Sequence, residues 1–294
     1  MQAGNDFFSE GIRMAPVPPT LRVRTTLIAA LFLVFSSLEV SAADRFITVA
    51  STTSTRNSGL YDHILPMFTE ATGVTIRVVA VGTGQAIRLA KAGDADVLFV
   101  HHRPSEEAFV RKGFGVKRYD VMYNDFVIVG PKADPAGAAN QNAPAAALTA
   151  IAKANWPFTS RGDDSGTHKK EMGLWRAAGV NTAKSAGEWY RETGSGMGAT
   201  LNTASAMNAY ALTDRATWLK FANKGELTIV NEGDKSLFNP YGVILVDPKK
   251  HPHTKVKNGQ AFINWLISDA GQRAIAAYDI NGQQAFFPNV KAAN

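Results

Sequence analysis

Short apolar runs alternate with stretches of helical periodicity along the chain from Arg45 onward. After each run, apolar residues recur three and four positions apart, which predicts amphipathic helices between short buried strands. This alternation favours an α/β fold with a mainly parallel sheet. The predicted strands are residues 45–50, 74–81, 97–100 and 121–129; the predicted helices are about residues 58–68 and 85–91, and a segment that begins at Ser105.

A second group of elements follows residues 131–147, a stretch rich in Ala, Pro, Gly and Asn that is typical of a loop. A late apolar run, residues 241–246, resembles the run at 126–129. We expect both runs to cross between two lobes, with closing helices at 262–278 returning to the first lobe. The remaining predicted helices are about residues 167–178, 186–193 and 200–212, with a Gly-rich turn at 194–198. The expected lobes are residues 44–130 plus 241–294, and residues 131–240, joined by a hinge.

The composition agrees with two folded lobes. The chain has 294 residues, of which 45% are hydrophobic and 19% charged, so it is too apolar for disorder and too long for one minimal domain. It contains no cysteine, which excludes disulfide frameworks and zinc sites built on thiolates. The net charge is +6, but the basic residues are scattered, so neither a nucleic-acid interface nor a polybasic membrane patch is expected.

The first 43 residues have the pattern of a secretory signal peptide. An apolar stretch at residues 27–40 follows Arg22 and Arg24 and precedes the small residues Ser41, Ala42 and Ala43. Its uninterrupted apolar part ends at Phe35, too short for a membrane anchor. We therefore expect cleavage near Ala42 or Ala43 and export of a soluble chain to the periplasm.

Four loops share one chemical feature: each is dense in Ser, Thr and Gly and opens a predicted helix. Free backbone N–H groups at a helix start, the positive end of the helix dipole and hydroxyl donors together favour an anion. A single loop of this kind is usually only a helix cap, but four in one chain predict an anion-binding site. The four loops are residues 51–55, 82–84, 160–167 and 196–200.

The third loop is the most informative of the four, because Arg161 adds a planar fork of donors suited to an oxyanion. It is followed by His168, Lys169 and Lys170, which have the wrong sign of charge for the first turn of a helix. Either a bound anion favours these residues or their side chains simply point to water. Asp163 and Asp164 are expected to orient the guanidinium and cap the helix, although they could also be catalytic carboxylates.

Other kinds of site fit the sequence less well. Gly162–Gly166 only loosely matches a hydrolase elbow, and no loop has the full glycine pattern of a nucleotide site. The pairs His101-His102 and His251/His253 lack the spacing of metal ligands, so we expect surface turns there and no metal site.

Eight sequence motifs lie, in chain order, at residues 51–59, 81–85, 93–97, 121–130, 160–168, 196–200, 212–218 and 238–242. Together they resemble the TupA family of tungstate-binding proteins, and the resemblance extends from about Arg45 to Pro288. It implies a two-lobed periplasmic-binding-protein fold of type II, no catalytic turnover, a ligand clamped between the lobes, and a membrane permease of an ABC importer as partner.

The resemblance also implies a set of residues that bind the oxyanion by hydrogen bonds alone, without a metal or other cofactor. A fully deprotonated tetrahedral dianion offers only acceptors, so a site made of hydroxyls, backbone N–H groups and one arginine suits it. We expect a monomer whose lobes close around the anion. The implied ligand residues are Thr53, Ser54, Thr83, Arg161, Ser165, Thr167 and Thr200, with Thr52 as an alternative to Thr53.

Three alternatives stay open at this point. Within the same class, the ligand could be molybdate or phosphate. Phosphate fits less well, because the loop after the third strand begins His101-His102 and has no carboxylate until Glu106, although Asp163 or Asp164 could still supply an acceptor for its proton. From another class, the chain could be an exported serine hydrolase that uses Ser165 and His168. It could also be a surface adhesin with no small-molecule ligand.

Overall fold

The structure is a computed structural model that describes residues 45–290. The predicted signal peptide, residues 1–43, lies outside the described residues. Among the helices of residues 45–290, none combines the length and the apolar character that a membrane span requires.

The first half of the chain builds one half of a mixed sheet. Strands β2, β1 and β3 are parallel, and β9 and β4 continue the sheet in antiparallel pairs. The elements are β1 (Phe46–Thr52), α1 (Thr53–Asn57), α2 (Leu60–Thr72), β2 (Thr75–Val81), α3 (Thr83–Ala92), β3 (Val97–Val100), α4 (Arg103–Arg111) and β4 (Gly115–Pro131).

The second half of the sheet shares β4 with the first. The C-terminal part of β4 pairs with β7 and β8, and β5 lies parallel between β7 and β6. The elements are α5 (Pro144–Ala154), β5 (Phe158–Ser160), α6 (Gly166–Ala177), a 3₁₀ turn (Thr182–Ser185), β6 (Tyr190–Glu192), α7 (Met197–Met207), β7 (Tyr210–Asp214), α8 (Arg215–Lys220) and β8 (Leu227–Asn231).

The closing part of the chain returns to the first half of the sheet. It contains a 3₁₀ turn (Lys235–Leu237), β9 (Phe238–Val246), α9 (Val256–Ile267), α10 (Asp269–Ala276), β10 (Asp279–Ile280), β11 (Gln283–Gln284) and β12 (Phe287–Pro288). β4 runs through both halves of the sheet, as expected for a crossing strand. Among the described strands, β9 pairs with β3 and with the N-terminal part of β4.

Each half of the sheet has an apolar cluster on both faces. Along β9, Val243 and Leu245 belong to one cluster and Ile244 and Val246 to the other, because successive side chains of a strand point to opposite faces. In the second half, the C-terminal residues of β4 divide between two clusters in the same way. Helix α8 packs Ala216 and Leu219 into the core of the first half. The lobe boundaries at residues 130/131 and 240/241 stay a prediction.

The structure corrects several of the predicted elements. The predicted helix at 186–193 is wrong: the segment holds β6, where Tyr190 packs against Phe158 and Trp175. The predicted helix at 200–212 begins earlier and ends at Met207, because the chain turns at a left-handed Asn208 and continues as β7. The predicted loop at 131–147 includes the start of α5, whose Leu148 and Ile151 are buried. The helix expected at Ser105 begins at Arg103. The sheet is mixed rather than mainly parallel, because β4 and β9 run antiparallel to their neighbours.

Candidate functional site

The first loop ends β1 and begins α1. Thr52 caps the helix by accepting a hydrogen bond from the Thr55 N–H at 3.3 Å. Thr53, the next residue, has a buried hydroxyl without a hydrogen-bond partner. Ser54 is buried, and its Oγ lies 3.2 Å from Nε2 of His101. The loop therefore brings one free hydroxyl and one bonded hydroxyl to the same turn.

The second and third loops are in direct contact. Oγ1 of Thr83, the first residue of α3, accepts a hydrogen bond from the N–H of Gly166 at 3.0 Å, and Gly166 is the first residue of α6. A Cβ atom at Gly166 would lie 3.0 Å from both Thr83 Oγ1 and His101 Cε1, so a larger residue would fit only if these neighbours moved apart. The two helix starts thus meet with His101 beside them.

The third loop holds Arg161 in a fixed position. Arg161 is 3% exposed, and its Nη2 donates to Asp163 Oδ2 at 2.5 Å. Asp163 Oδ1 accepts from the Ser165 N–H at 3.2 Å. Although burial acts in the opposite direction, hydrogen bonds from Ser165 and the charge of Arg161 hold the pKa of Asp163 below its usual value. Asp163 therefore orients the guanidinium, as expected, whereas the helix cap is Ser165, which accepts from the His168 N–H at 3.1 Å.

Three of the predicted site residues carry buried donors that lack partners: Thr53 through Oγ1, Arg161 through Nε and Thr167 through Oγ1. They are three of the nine buried side-chain nitrogen or oxygen atoms without a partner between residues 45 and 290. A buried polar group without a partner costs about 1 to 3 kcal/mol, so native proteins rarely keep one without a reason. Three on the predicted anion loops indicate a ligand that accepts hydrogen bonds.

The fourth loop reaches the third loop through an intermediate residue, Thr193. Oγ1 of Thr200 is 2.8 Å from Oγ1 of Thr193 and donates to the Gly196 carbonyl at 3.2 Å. Thr193 in turn donates from its backbone N–H to the carbonyl of Ser160, next to Arg161, at 2.9 Å. The structure thus connects Thr200 to the third loop, but its hydroxyl is already hydrogen-bonded within the protein. Thr193 was not predicted, although it directly precedes the Gly-rich turn.

His101, the residue that links these loops, was not among the predicted site residues. His101 is not on a surface turn as predicted: it is 5% exposed and contacts Ser54, Asn239 and Tyr241. Burial, together with the nearby charge of Arg161, lowers the pKa of His101 to about 4. The imidazole is therefore neutral at ordinary pH. A histidine directly after a buried strand, at the edge where the Ser and Thr loops end, was the available signal.

The two lysines after the third loop have partners within the protein. Lys169 pairs with the Asp164 carboxylate, and Lys170 donates to the carbonyls of Ser236 and Phe238 at 2.9 and 3.0 Å. Lys170 thereby ties α6 to the segment that enters β9. The unfavourable sign of charge at the helix start is offset by these contacts.

The geometry of Ser165 and His168 differs from that of a nucleophile and its base. The hydrogen bond between them runs from the His168 backbone to Ser165 Oγ, while Nδ1 of the imidazole accepts from the Asp164 N–H at 3.1 Å. For metals, residues 45–290 contain no cluster of three or more His, Asp or Glu side chains able to hold an ion. His251 and His253 instead contact the carbonyls of Lys91 and Gly93.

Comparisons with known proteins agree on one family. The model of the PBP superfamily domain matches residues 39–270. A putative ABC transporter anion-binding protein of Haloferax volcanii is 46% identical over 253 residues, covering 84% of this chain and 73% of the relative. The tungstate-binding protein TupA of Peptoclostridium acidaminophilum is 44% identical over 256 residues, covering 86% of this chain and 88% of the relative.

The solved structures agree with the sequence relatives. The tungstate-binding protein TupA from Desulfovibrio alaskensis G20 matches with a TM-score of 0.73 and 44% identity, covering 84% of this chain and 99% of that protein. The fold is therefore the two-lobed α/β fold of periplasmic binding proteins that the sequence predicted, and the relatives are solute-binding proteins. With its sequence, its sheet and its converging loops in agreement, the chain belongs to the TupA family within the PBP superfamily.

Proposed function

We propose that this chain captures tungstate at the convergence of the four loops and delivers it to the membrane permease of an ABC importer. The names of the relatives support tungstate as the ligand and an ABC transporter as the partner. We assign it no reaction: the task of the site is to bind and release an oxyanion. The proposed location is the periplasm, after removal of residues 1–43.

The observation that carries this proposal is the set of unpaired buried donors on Thr53, Arg161 and Thr167. All three groups can donate a hydrogen bond, and a tetrahedral oxyanion can accept from all of them at once. Bound tungstate would remove the cost of leaving them unpaired, which is about 1 to 3 kcal/mol for each group.

One further hydroxyl can add a donor to the same anion. Oγ1 of Thr83 accepts one bond from a backbone N–H, which leaves its proton available. The Ser165 hydroxyl accepts from the His168 N–H and also hydrogen-bonds to the Asp163 carboxylate, so we assign Ser165 to the support of the site. Ser54 and Thr200 are hydrogen-bonded within the protein, so we assign them to the support of the site rather than to direct donation.

Asp163 and Glu106, the carboxylates in the third loop and after β3, already accept hydrogen bonds within the protein, which favours an anion without a proton. Asp163 accepts from Arg161 and Ser165, and Glu106 pairs with Arg118 at 2.6 Å and accepts from the His102 N–H at 2.6 Å. Hydrogen phosphate would need a free acceptor for its proton, whereas tungstate and molybdate would not. The site therefore suits tungstate better than phosphate, whereas tungstate and molybdate suit it equally.

We propose closure of two lobes as the mechanism of capture. With lobes of residues 44–130 plus 241–294 and 131–240, Thr83 lies on one lobe and Arg161 and Thr167 on the other. An anion that contacts both lobes favours the closed form by the contacts it makes only there.

Calorimetry on residues 44–294 with tungstate, molybdate, sulfate and phosphate tests the proposal. We expect tungstate to bind with a Kd in the nanomolar range, about −12 kcal/mol, in one site per chain. Tungstate at a hundred times its Kd should stabilise the fold by about 2.7 kcal/mol. Tighter binding of phosphate than of tungstate would contradict the proposal, as would heat changes no larger than those of dilution for all four anions.

A further inference from the structure

His101 lies at the end of β3, where four contacts meet on one buried imidazole. Its Nδ1 is 3.1 Å from Oδ1 of Asn239, and its Nε2 is 3.2 Å from Oγ of Ser54. Its ring stacks on Tyr241 with 4.8 Å between the centroids. On the remaining side, Gly166 packs directly against it.

The hydrogen bonds of Asn239 determine which nitrogen of His101 carries the proton. Nδ2 of Asn239 donates to Oδ1 of Asn124 at 2.7 Å, so the oxygen of Asn239 faces His101. A carbonyl oxygen only accepts, so Nδ1 of His101 must be the N–H that donates to it. In a neutral imidazole the other nitrogen, Nε2, then has the lone pair.

The hydroxyl of Ser54 must therefore be the donor in its contact with His101. The oxygen of Ser54 also lies 3.2 Å from Oγ1 of Thr52, the residue that caps α1. With its single proton donated to Nε2, Ser54 has none left for an anion. Its contacts instead join the first turn of α1 to His101 and, through Asn239, to the start of β9.

We propose that His101 is a positioning residue of the anion site, acting through Ser54. As the neutral ring protonated on Nδ1, it accepts the Ser54 proton and fixes the first turn of α1, in which Thr53 presents its unpaired hydroxyl. Because the Ser54 hydroxyl donates to the lone pair on Nε2, this nitrogen is not a free acceptor facing the anion. This inference rests on the proposed function of oxyanion binding.

The cost of burying a charge keeps the His101 ring neutral at ordinary pH. Arg161 is the nearby charge that disfavours protonation of the imidazole. The adjacent His102 is itself neutral at ordinary pH, because burial and the nearby Lys169 lower its pKa to about 4. Ser54, Asn239 and Tyr241, whose side chains contact the ring, carry no charge.

A double-mutant cycle on tungstate affinity tests whether His101 acts through Ser54. We expect His101→Ala to weaken binding about tenfold, and to weaken it less than about twofold further when Ser54→Ala is already present. His101→Gln retains an acceptor at the position of Nε2 and should restore the affinity to within about threefold of the wild type. The matched control is His102→Ala at the adjacent histidine, which should stay within about twofold.

Additive losses in the cycle, or equal losses for His101→Gln and His101→Ala, would mean that the ring only fills space and would overturn the proposal. A second measurement does not depend on any ligand. In ¹⁵N-labelled protein without anion, NMR of the imidazole nitrogens at pH 7 should show His101 protonated on Nδ1 alone. A ring protonated on Nε2 would reject the inference even if tungstate binds. If the wild-type protein does not bind tungstate, the proposed function is rejected instead.

Discussion

The hydroxyl oxygen of Thr83 accepts a hydrogen bond from the N–H of Gly166, 83 residues further along the chain, at 3.0 Å. This bond joins the first residue of α3 to the first residue of α6. Both helix starts carry partial positive charge and would repel each other without a polar group between them. The contact shows that two of the four predicted anion loops share one place in the fold.

Replacement of Thr83 by Val should weaken tungstate binding about tenfold, because it removes the acceptor for Gly166 and one donor for the anion. Valine has nearly the same volume, so the packing should persist. Thr83→Ser keeps the hydroxyl and serves as the control, with an expected affinity within about threefold of the wild type. Calorimetry measures both, and wild-type affinity in the valine variant would show that the contact is irrelevant to binding.

The unpaired hydroxyls of Thr53 and Thr167 predict opposite effects on binding and on stability. Thr53→Val and Thr167→Val should each weaken tungstate binding by about 1 kcal/mol or more, because each removes a donor to the anion. Each should also leave the ligand-free protein at least as stable as the wild type, since a buried polar group without a partner is lost.

Calorimetry and chemical denaturation of the same samples check this pair of effects. Thr203→Val on α7, where the hydroxyl donates only to the Ala199 carbonyl, is the matched control and should leave the affinity unchanged. A ligand-free Thr53→Val protein that is clearly less stable than the wild type would show that its hydroxyl has a structural partner.

Loss of the Arg161 guanidinium should have the largest effect among single substitutions. Arg161→Ala removes a buried charge-assisted donor and should weaken tungstate binding by at least about 2 kcal/mol, or about 30-fold. Arg161→Lys should recover only part of this, because an ammonium lacks the planar fork. Arg176→Ala, an exposed arginine on α6, is the control. Unchanged affinity with a normal circular dichroism spectrum would remove Arg161 from the site.

Glu171 predicts a dependence of stability on pH. It is buried beneath the third loop and accepts from Ser160, Trp175 and Tyr190 at 2.8, 3.1 and 2.7 Å. Burial raises the pKa of Glu171 from 4.5 to about 7, even though these hydrogen bonds act in the opposite direction. Between these two values the folded protein holds a proton that the unfolded chain has released, so stability falls as pH rises through this window.

Glu171→Gln should abolish this part of the pH dependence. Between pH 5 and pH 7.5, we expect the Tm of the wild type to fall relative to that of the variant by at least about 2 °C. Thermal denaturation followed by circular dichroism measures the difference. Glu188→Gln, at an exposed position, should follow the wild type. Parallel curves for the wild type and Glu171→Gln would show that Glu171 is ionised throughout this range.

Several features of the site were predictable because they depend on local chemistry. Asp163 binds Arg161, two positions away, as the sequence predicted. The helix starts at Thr53 and Thr83 follow strands whose apolar runs are visible in the sequence. Short-range patterns of this kind require no knowledge of the remaining chain.

The sequence by itself determined the order of most strands and helices, the positions of the Ser, Thr and Gly loops, and the resemblance to one family. Only the tertiary structure decided that residues 190–192 form a strand, that His101 is buried, and which hydroxyls lack partners. The physical reason is the range of the interactions. Periodicity and helix caps act over a few residues, whereas the partners of Thr83, Ser54 and His101 lie 83, 47 and 138 positions away. Whether a hydroxyl proton is free for an anion depends on such distant partners, and these become neighbours only when the sheet has formed.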